Sequence, residues 1–407
     1  MAAATERRIA TPTPAGSPGE VLRVFLKLGL TSFGGPIAHI GYFREELVVR
    51  RRWIEEAAYS DLVALCQFLP GPASSQVGFS LGLIRAGYWG GLAAWTGFTL
   101  PSAILLLAFA YGAGMLVGPL GSGMIHGLKL VAVAIVAQAV WGMARTLCPD
   151  RQRASIGCAA AVIMLFSTSF AAQIGTIGMG GVAGFFLCRG SAPVITAPLG
   201  TSVSRRAGMI CLSIFFLLLA LLPLLARSSP GVALFDAFYR SGALVFGGGH
   251  VVLPLLARAF VVPGWVNQDA FLAGYGAAQA VPGPLFTFAA FLGAVAGPSP
   301  RGIAGAVVGL AGIFLPGFLV LLGTLPFWDA FRRRIGAQAV MRGVNAAVVG
   351  LLGAALYNPL WTNAIHLPAD LALALVGFVL LTAWRVPPIV VVVLGALGGA
   401  ALSSLQN

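Results

Sequence analysis

Apolar runs at residues 87–107, 128–145, 210–225, 302–322 and 387–401 approach or reach the roughly 20 residues that a helix needs to cross the hydrocarbon core of a bilayer. Lipid offers the backbone no hydrogen bonds, so only helices and closed barrels span it. A barrel strand would alternate apolar and polar residues over about 10 positions, and that pattern is missing. With 58% hydrophobic and only 9% charged residues, the chain is expected to be an all-α polytopic membrane protein. The net charge of +13 does not point to nucleic acid, because the basic residues lie mostly in short connections between apolar runs. Residues 1–19 are polar and proline-rich without an apolar core, and are expected to form a disordered cytoplasmic tail, not a signal peptide. Cys66, Cys148, Cys158, Cys188 and Cys211 are isolated, with no CxxC pair and no adjoining histidine cluster. No disulfide framework, metal or other cofactor is expected from them.

The chain is duplicated. KLGLTSFGG at 27–35 aligns with RSGALVFGG at 240–248, an offset of 213, and Trp53 with Trp265. QFLPGP at 67–72 aligns with QAVPGP at 279–284, Leu100-Pro101 with Leu315-Pro316, and residues 127–141 with 343–357. The expected units are a first repeat over 20–190, a linker over 191–233 carrying an extra helix at about 207–226, and a second repeat over 234–407.

Loop charge orients the repeats, because Lys and Arg are retained on the cytoplasmic side. Arg44, Arg50, Arg51 and Arg52 mark one cytoplasmic loop, and Arg145, Arg151 and Arg153 another, while residues 114–126 hold no basic residue. In the second half the pattern reverses, with Arg332, Arg333, Arg334 and Arg342 between nearly uncharged flanks. The extra crossing supplies the odd count that inversion demands. The expectation is an inverted-topology repeat, the N-terminus cytoplasmic and the C-terminus outside, a common plan of secondary transporters.

Each half opens with two interrupted helices. In the first half, segments 21–33 and 36–49 flank Gly34-Gly35-Pro36, and 57–69 and 73–86 flank Pro70-Gly71-Pro72. Arms of that length reach about 20 Å against a core of about 30 Å. Each pair is therefore either a re-entrant hairpin or one kinked span, with about four crossing helices to follow. Irregular backbone at membrane depth is tolerated where it is buried in protein or lines a watery cavity, so the four breaks are expected to meet. Free amides after Pro72, with the hydroxyls of Ser74 and Ser75, make an anion site, to which Ser32 and Gln76 are added; the second copy offers Thr287.

Lys27 and its partner Arg240 are candidates for anion attraction, or else are respectively snorkelling and paired with Asp236. Asp61, His39 and His250 are candidate proton carriers, though a lone histidine is more often a packing residue. Gln67 and Gln279 either orient a substrate or tie down the breaks. Glu45, Glu46, Glu55 and Glu56 are expected to form a solvated network with the nearby arginines.

F-x-K-x-G-x-x-S-F-G-G-P at 25–36, Q-x-x-P-G-P-x-x-x-Q at 67–76, and the second copies FGGGH at 246–250 and Q-x-V-P-G-P at 279–284 resemble the chromate transporter family in its long, two-domain form. The resemblance covers nearly all of residues 20–404. It implies an inner-membrane protein that exports chromate, confers chromate resistance and draws on the proton motive force. Carried over with it are Lys27, Phe33, Gly34, Gly35, Pro36, Gln67, Pro70, Gly71 and Pro72, then Phe246, Gly247, Gly248, Gln279, Pro282, Gly283 and Pro284. One departure is Gly249 where the first copy has Pro36. The expected partners are chromate, with sulfate as the competing dianion, protons, the bilayer and a second copy of the chain. A sulfate or molybdate permease and an anion channel remain open as alternatives. A reductase is disfavoured by the lack of haem-type histidines, nucleotide fingerprints or a redox cysteine pair, and no enzyme activity is expected.

Overall fold

The computed structural model describes residues 16–112, 118–167, 170–189, 203–246, 249–328 and 334–405. Most of the expected tail, Gly247, Gly248, Arg332 and Arg333 lie outside them, as does the side chain of His250. The described residues are helical, with no strand among them.

Helix α1 (Pro18–Thr31) starts at Ser17, whose hydroxyl accepts from the Glu20 amide at 3.1 Å. Gly34 and Gly35, at φ +102° and +78°, turn the chain out of the right-handed helix. Helix α2 (Gly35–Phe43) then carries on into wider π-helical turns at Arg44–Arg50. Helix α3 (Glu56–Phe68) ends as Leu69 goes extended ahead of Pro70. Helix α4 (Ala73–Gly112) is broken at Ala86 and Gly87, which leaves a short inner arm and a long outer span.

These pairs are hairpins, not kinked spans. Lys27 and Glu46 lie on opposite sides of the Gly34 turn, yet their charged groups are 3.9 Å apart. Arg85, at the end of the inner arm of α4, bonds Glu20 at 3.2 Å and stacks over Trp53 at 5.3 Å. Both hairpins therefore enter and leave on one side of the membrane.

After α5 (Gly118–Leu147), α6 (Arg151–Phe166), α7 (Phe170–Leu187) and the linking α8 (Arg205–Leu225), the pattern repeats. Helices α9 (Pro230–Ala243), α10 (Val252–Leu256), α11 (Gln268–Ala280) and α12 (Phe288–Val295) answer α1, α2, α3 and the inner arm of α4. Even the π-helical extension recurs, at Ala257–Val261. Helix α13 (Gly302–Thr324) answers the outer span of α4, and α14 (Ile335–Ala355), α15 (Pro368–Thr382) and α16 (Pro388–Leu405) answer α5 to α7. The α11–α12 pair also returns to its starting side, where the Gly297 amide donates to the Trp265 carbonyl at 2.8 Å.

Five helices among the described residues are long and apolar enough to cross a membrane. Four contain runs read from the sequence, and the fifth is Ile335–Ala364. The run at 387–401 falls instead in α16, whose 18 residues reach about 27 Å.

Each half lends a helix to the other. Helix α5 packs on α16 and α15, while α14 packs on α7 and α6. Glycine lets these backbones touch: Gly127 meets Gly395, and its repeat partner Gly343 meets Gly180. The inversion shows in the ion pairs. Lys129 and His126 of α5 bond Asp269 at 2.6 Å and Asp370 at 2.8 Å, joining the first half's uncharged side to the start of α11 and α15.

Candidate functional site at the crossed helix breaks

The helix breaks meet in crossed pairs. The Gly71 amide donates to the Val245 carbonyl at 2.7 Å, and the Gly283 amide to the Ser32 carbonyl at 2.9 Å. Gly71 and Gly283 are repeat partners, and so are Ser32 and Val245, so each PGP turn is locked onto the segment preceding the other half's FGG motif. Both glycines have φ in the left-handed region, +118° and +97°. A Cβ on Gly71 would stand 2.9 Å from the Gly317 Cα, and one on Gly283 would meet Ser102 Oγ and, at 3.0 Å, the Phe98 carbonyl.

Pro36 and Gly249, also repeat partners, touch each other: a Cβ on Gly249 would lie 3.1 Å from Pro36 Cγ. Equivalent positions can meet only on the pseudo-two-fold axis. Two proline rings facing each other there would collide, which explains the one departure between the copies.

Away from the axis the halves differ in chemistry. His39, one turn into α2, approaches Ser74 Oγ with Nδ1 at 3.3 Å and so joins the first turns of α2 and α4. Gln76 Nε2 donates to the carbonyls of Pro70 and Gly317, both at 2.9 Å. By the repeat offsets, His39, Ser74 and Gln76 correspond to Val252, Phe286 and Phe288, while Thr99 and Ser32 correspond to Phe314 and Val245. Phe286 and Phe314 pack with ring centroids 5.9 Å apart. Thr287 keeps a hydroxyl, but it donates to the Pro284 carbonyl at 2.6 Å, within a tight turn (Leu285–Thr287) that precedes α12. The first half thus lines its breaks with polar groups and the second with aromatic rings.

Ser32, His39 and Gln76 are fully buried and Ser75 nearly so. Ser32 Oγ, His39 Nε2, Ser75 Oγ and Gln76 Oε1 nevertheless have no hydrogen-bond partner in the described structure. Buried polar atoms are almost always satisfied, so this concentration marks a place built to contact something polar. Gly34 caps α2 without a side-chain bond. Gly34 is exposed, and a Cβ on Gly35 would meet nothing within 4 Å, so open space lies beside that turn.

The two charged candidates sit apart from these polar groups, in ion pairs. Lys27 has a side chain 58% exposed and faces Glu46. Arg240 pairs with Asp236 at 2.5 Å. Gln67 is exposed, Phe33, Asp61, Phe246 and Gln279 are half-buried, and Pro70 borders the buried pair Gly71 and Pro72. Pro282, Gly283 and Pro284 are buried.

Glu46 does not join the solvated network expected from the sequence. It is buried and binds Arg50 and Arg51, each at 2.8 Å, beside Lys27. Burial by itself would raise its pKa, but the Arg51 hydrogen bond with Lys27 and Arg50 holds the carboxyl below its ordinary value. Ser102, which donates to the Pro282 carbonyl, was missed as well. Its only signal in the sequence was its place after the repeated Leu-Pro.

A model of the chromate transporter family matches residues 19–185 and again 232–400. The chain belongs to the chromate transporter family. Among relatives of this chromate transporter family member, the chromate transport protein of Pseudomonas aeruginosa is 30% identical over 98% of this chain and 95% of its own length. The probable chromate transport protein of Synechococcus elongatus is 28% identical over 95% of this chain and 96% of its own. That of Cupriavidus metallidurans is 27% identical over 90% and 88%. No solved structure matches. Family and helical architecture together make this a multi-pass membrane transport protein, in a family of transporters and not of enzymes.

Proposed function

We propose that this chromate transporter family member exports chromate from the cytoplasm across the inner membrane, drawing on the proton motive force and conferring chromate resistance. The anion is held at the first half's breaks by the opening amides of α2 and α4 and the hydroxyls of Ser32, Ser74 and Ser75. The observation that carries this reading is the His39–Ser74 contact, which joins two helix N-termini, where amides and the helix dipole favour an anion. Lys27 acts at a distance, raising the local anion concentration, while the charge of Arg240 is offset by Asp236. The two halves rock about the axis between Pro36 and Gly249 to expose the site to each side in turn, as inverted repeats allow. Proton movement on His39, Asp61 or His250 couples to that rocking.

Sulfate is the second reading, because it is a tetrahedral dianion of similar size and the same donors suit it. Everted membrane vesicles carrying the chain test both. Chromate uptake that saturates, rises with an imposed proton gradient and resists excess sulfate supports chromate export. Uptake abolished by sulfate favours a sulfate permease, and non-saturating flux that ignores the gradient indicates a channel. Ser74→Ala and Ser75→Ala remove donors to a charged ligand, worth about 1.5–3 kcal/mol each, so KM is expected to rise roughly 10- to 150-fold. Normal KM in both variants, with the protein shown to reach the membrane, sinks the assigned site.

A further inference from the structure

A cleft of about 450 Å³ lies between α6, α7 and α14, away from the helix breaks. Its size is that of a ligand pocket, about 300–1,000 Å³. Arg151, Gln152 and Ser155 line its cytoplasmic end, and Ala159, Ile163 and Met179 carry it inward. The lining is otherwise apolar, because the one inner hydroxyl, on Thr176, is turned onto the Met164 sulfur at 3.8 Å. Arg151 is exposed and forms no ion pair among the described residues, whereas its neighbour Arg153 is tied to Asp150 at 2.6 Å.

Length and charge identify the occupant. Twelve residues separate Arg151 from Ile163, a rise of about 18 Å along the helix against about 15 Å for half the hydrocarbon core. The cleft is one leaflet deep, apolar along that depth, and carries an uncommitted guanidinium where the cytoplasmic headgroups lie. We propose that it binds an anionic phospholipid of the cytoplasmic leaflet, one acyl chain lying between α6 and α7 and the headgroup phosphate on Arg151. Basic clefts between membrane helices on the cytoplasmic side suit such headgroups, and a planar guanidinium matches phosphate oxygens in pairs.

The site has a structural consequence. Ala347 of α14 forms part of the cleft wall, and α14 is the helix that the second half lends to the first. A lipid seated there spans the joint between the halves, so it stabilises the swapped arrangement whichever anion the protein carries.

Titration of the purified full chain in detergent with phosphatidylglycerol or phosphatidylcholine, read as thermal shift, tests the proposal. One juxtamembrane cation favours an anionic lipid by about fivefold in affinity, and the wild type is expected to show that preference. Arg151→Gln should abolish it, and Ala159→Trp, which fills the cleft from its exposed side, should abolish the saturable shift by either lipid. Arg205→Gln removes another exposed cytoplasmic arginine at the start of α8 and should leave the preference intact. The proposal fails if the wild type does not distinguish the lipids, if Arg151→Gln keeps the preference, or if Arg205→Gln loses as much. Each of those outcomes means annular lipid only. Arg151 is a surface residue, so its variant reports even if the tryptophan variant does not fold.

Discussion

Adding one methyl group to Gly71 tests whether the crossed locks hold the two halves together. At φ +118° a side chain is strained, at about 1–2 kcal/mol. The new Cβ would also lie 2.9 Å from Gly317 Cα, a backbone atom that cannot rotate away, and overpacking of that kind costs about 1–3 kcal/mol. The sum for Gly71→Ala is about 2–5 kcal/mol. Gly264→Ala is the control: its φ is +74°, but nothing lies within 4 Å of its Cβ, so only the strain of about 1–2 kcal/mol applies. Cys66, fully buried in α3, is a built-in reporter. In a background where Cys148, Cys158, Cys188 and Cys211 are replaced by alanine, a thiol-reactive dye labels Cys66 as the bundle opens on heating. The downward shift in labelling midpoint for Gly71→Ala should be about 1.5 to 4 times that for Gly264→Ala, with Gly283→Ala behaving like Gly71→Ala. Equal shifts for Gly71→Ala and Gly264→Ala would mean that the lock contributes no stability, and the crossed-pair account would fall.

Two further outcomes follow from the packing and the charges. Gly249→Val puts a branched Cβ against Pro36 and should lower stability by about 1–3 kcal/mol, with much of the loss recovered in the Pro36→Ala double variant; no recovery would place the pseudo-two-fold axis elsewhere. Glu46 has its carboxyl held below the ordinary value of 4.5 by Arg51, Lys27 and Arg50 acting against burial. A depressed folded pKa contributes stability that is present above the unfolded value and lost as pH falls through the folded one. The thermal midpoint should therefore drop below about pH 4.5 in the wild type and drop less in Glu46→Gln, which should already be weaker at pH 7; matching acid profiles would refute the role given to Glu46.

Much of the architecture could be read from residues alone, because the bilayer leaves so few options. Apolar length defined the spanning helices, proline and glycine defined the breaks, and loop arginines defined the inversion. Residues such as Gly34, Pro70 and Pro282 act locally on φ and on the ladder of hydrogen bonds, and local effects are visible in a linear string. Whether two short arms form a hairpin or a kinked span is not local. It took the return of Glu46 to Lys27 and of Arg85 to Trp53 to decide it.

The sequence by itself determined a duplicated, inverted helical membrane protein whose halves each carry two helix breaks. Only the tertiary structure decided how those breaks meet. Gly71 bonding Val245, Gly283 bonding Ser32, and Pro36 resting on Gly249 are contacts between residues more than 170 positions apart, set by how the halves cross. The same crossing showed that the two copies are unequal, with His39 and Ser74 in contact beside one break and Phe286 and Phe314 packed together beside the other. Alignment lists those differences without weight; packing gives them meaning, because a polar atom has a cost only once its burial is known.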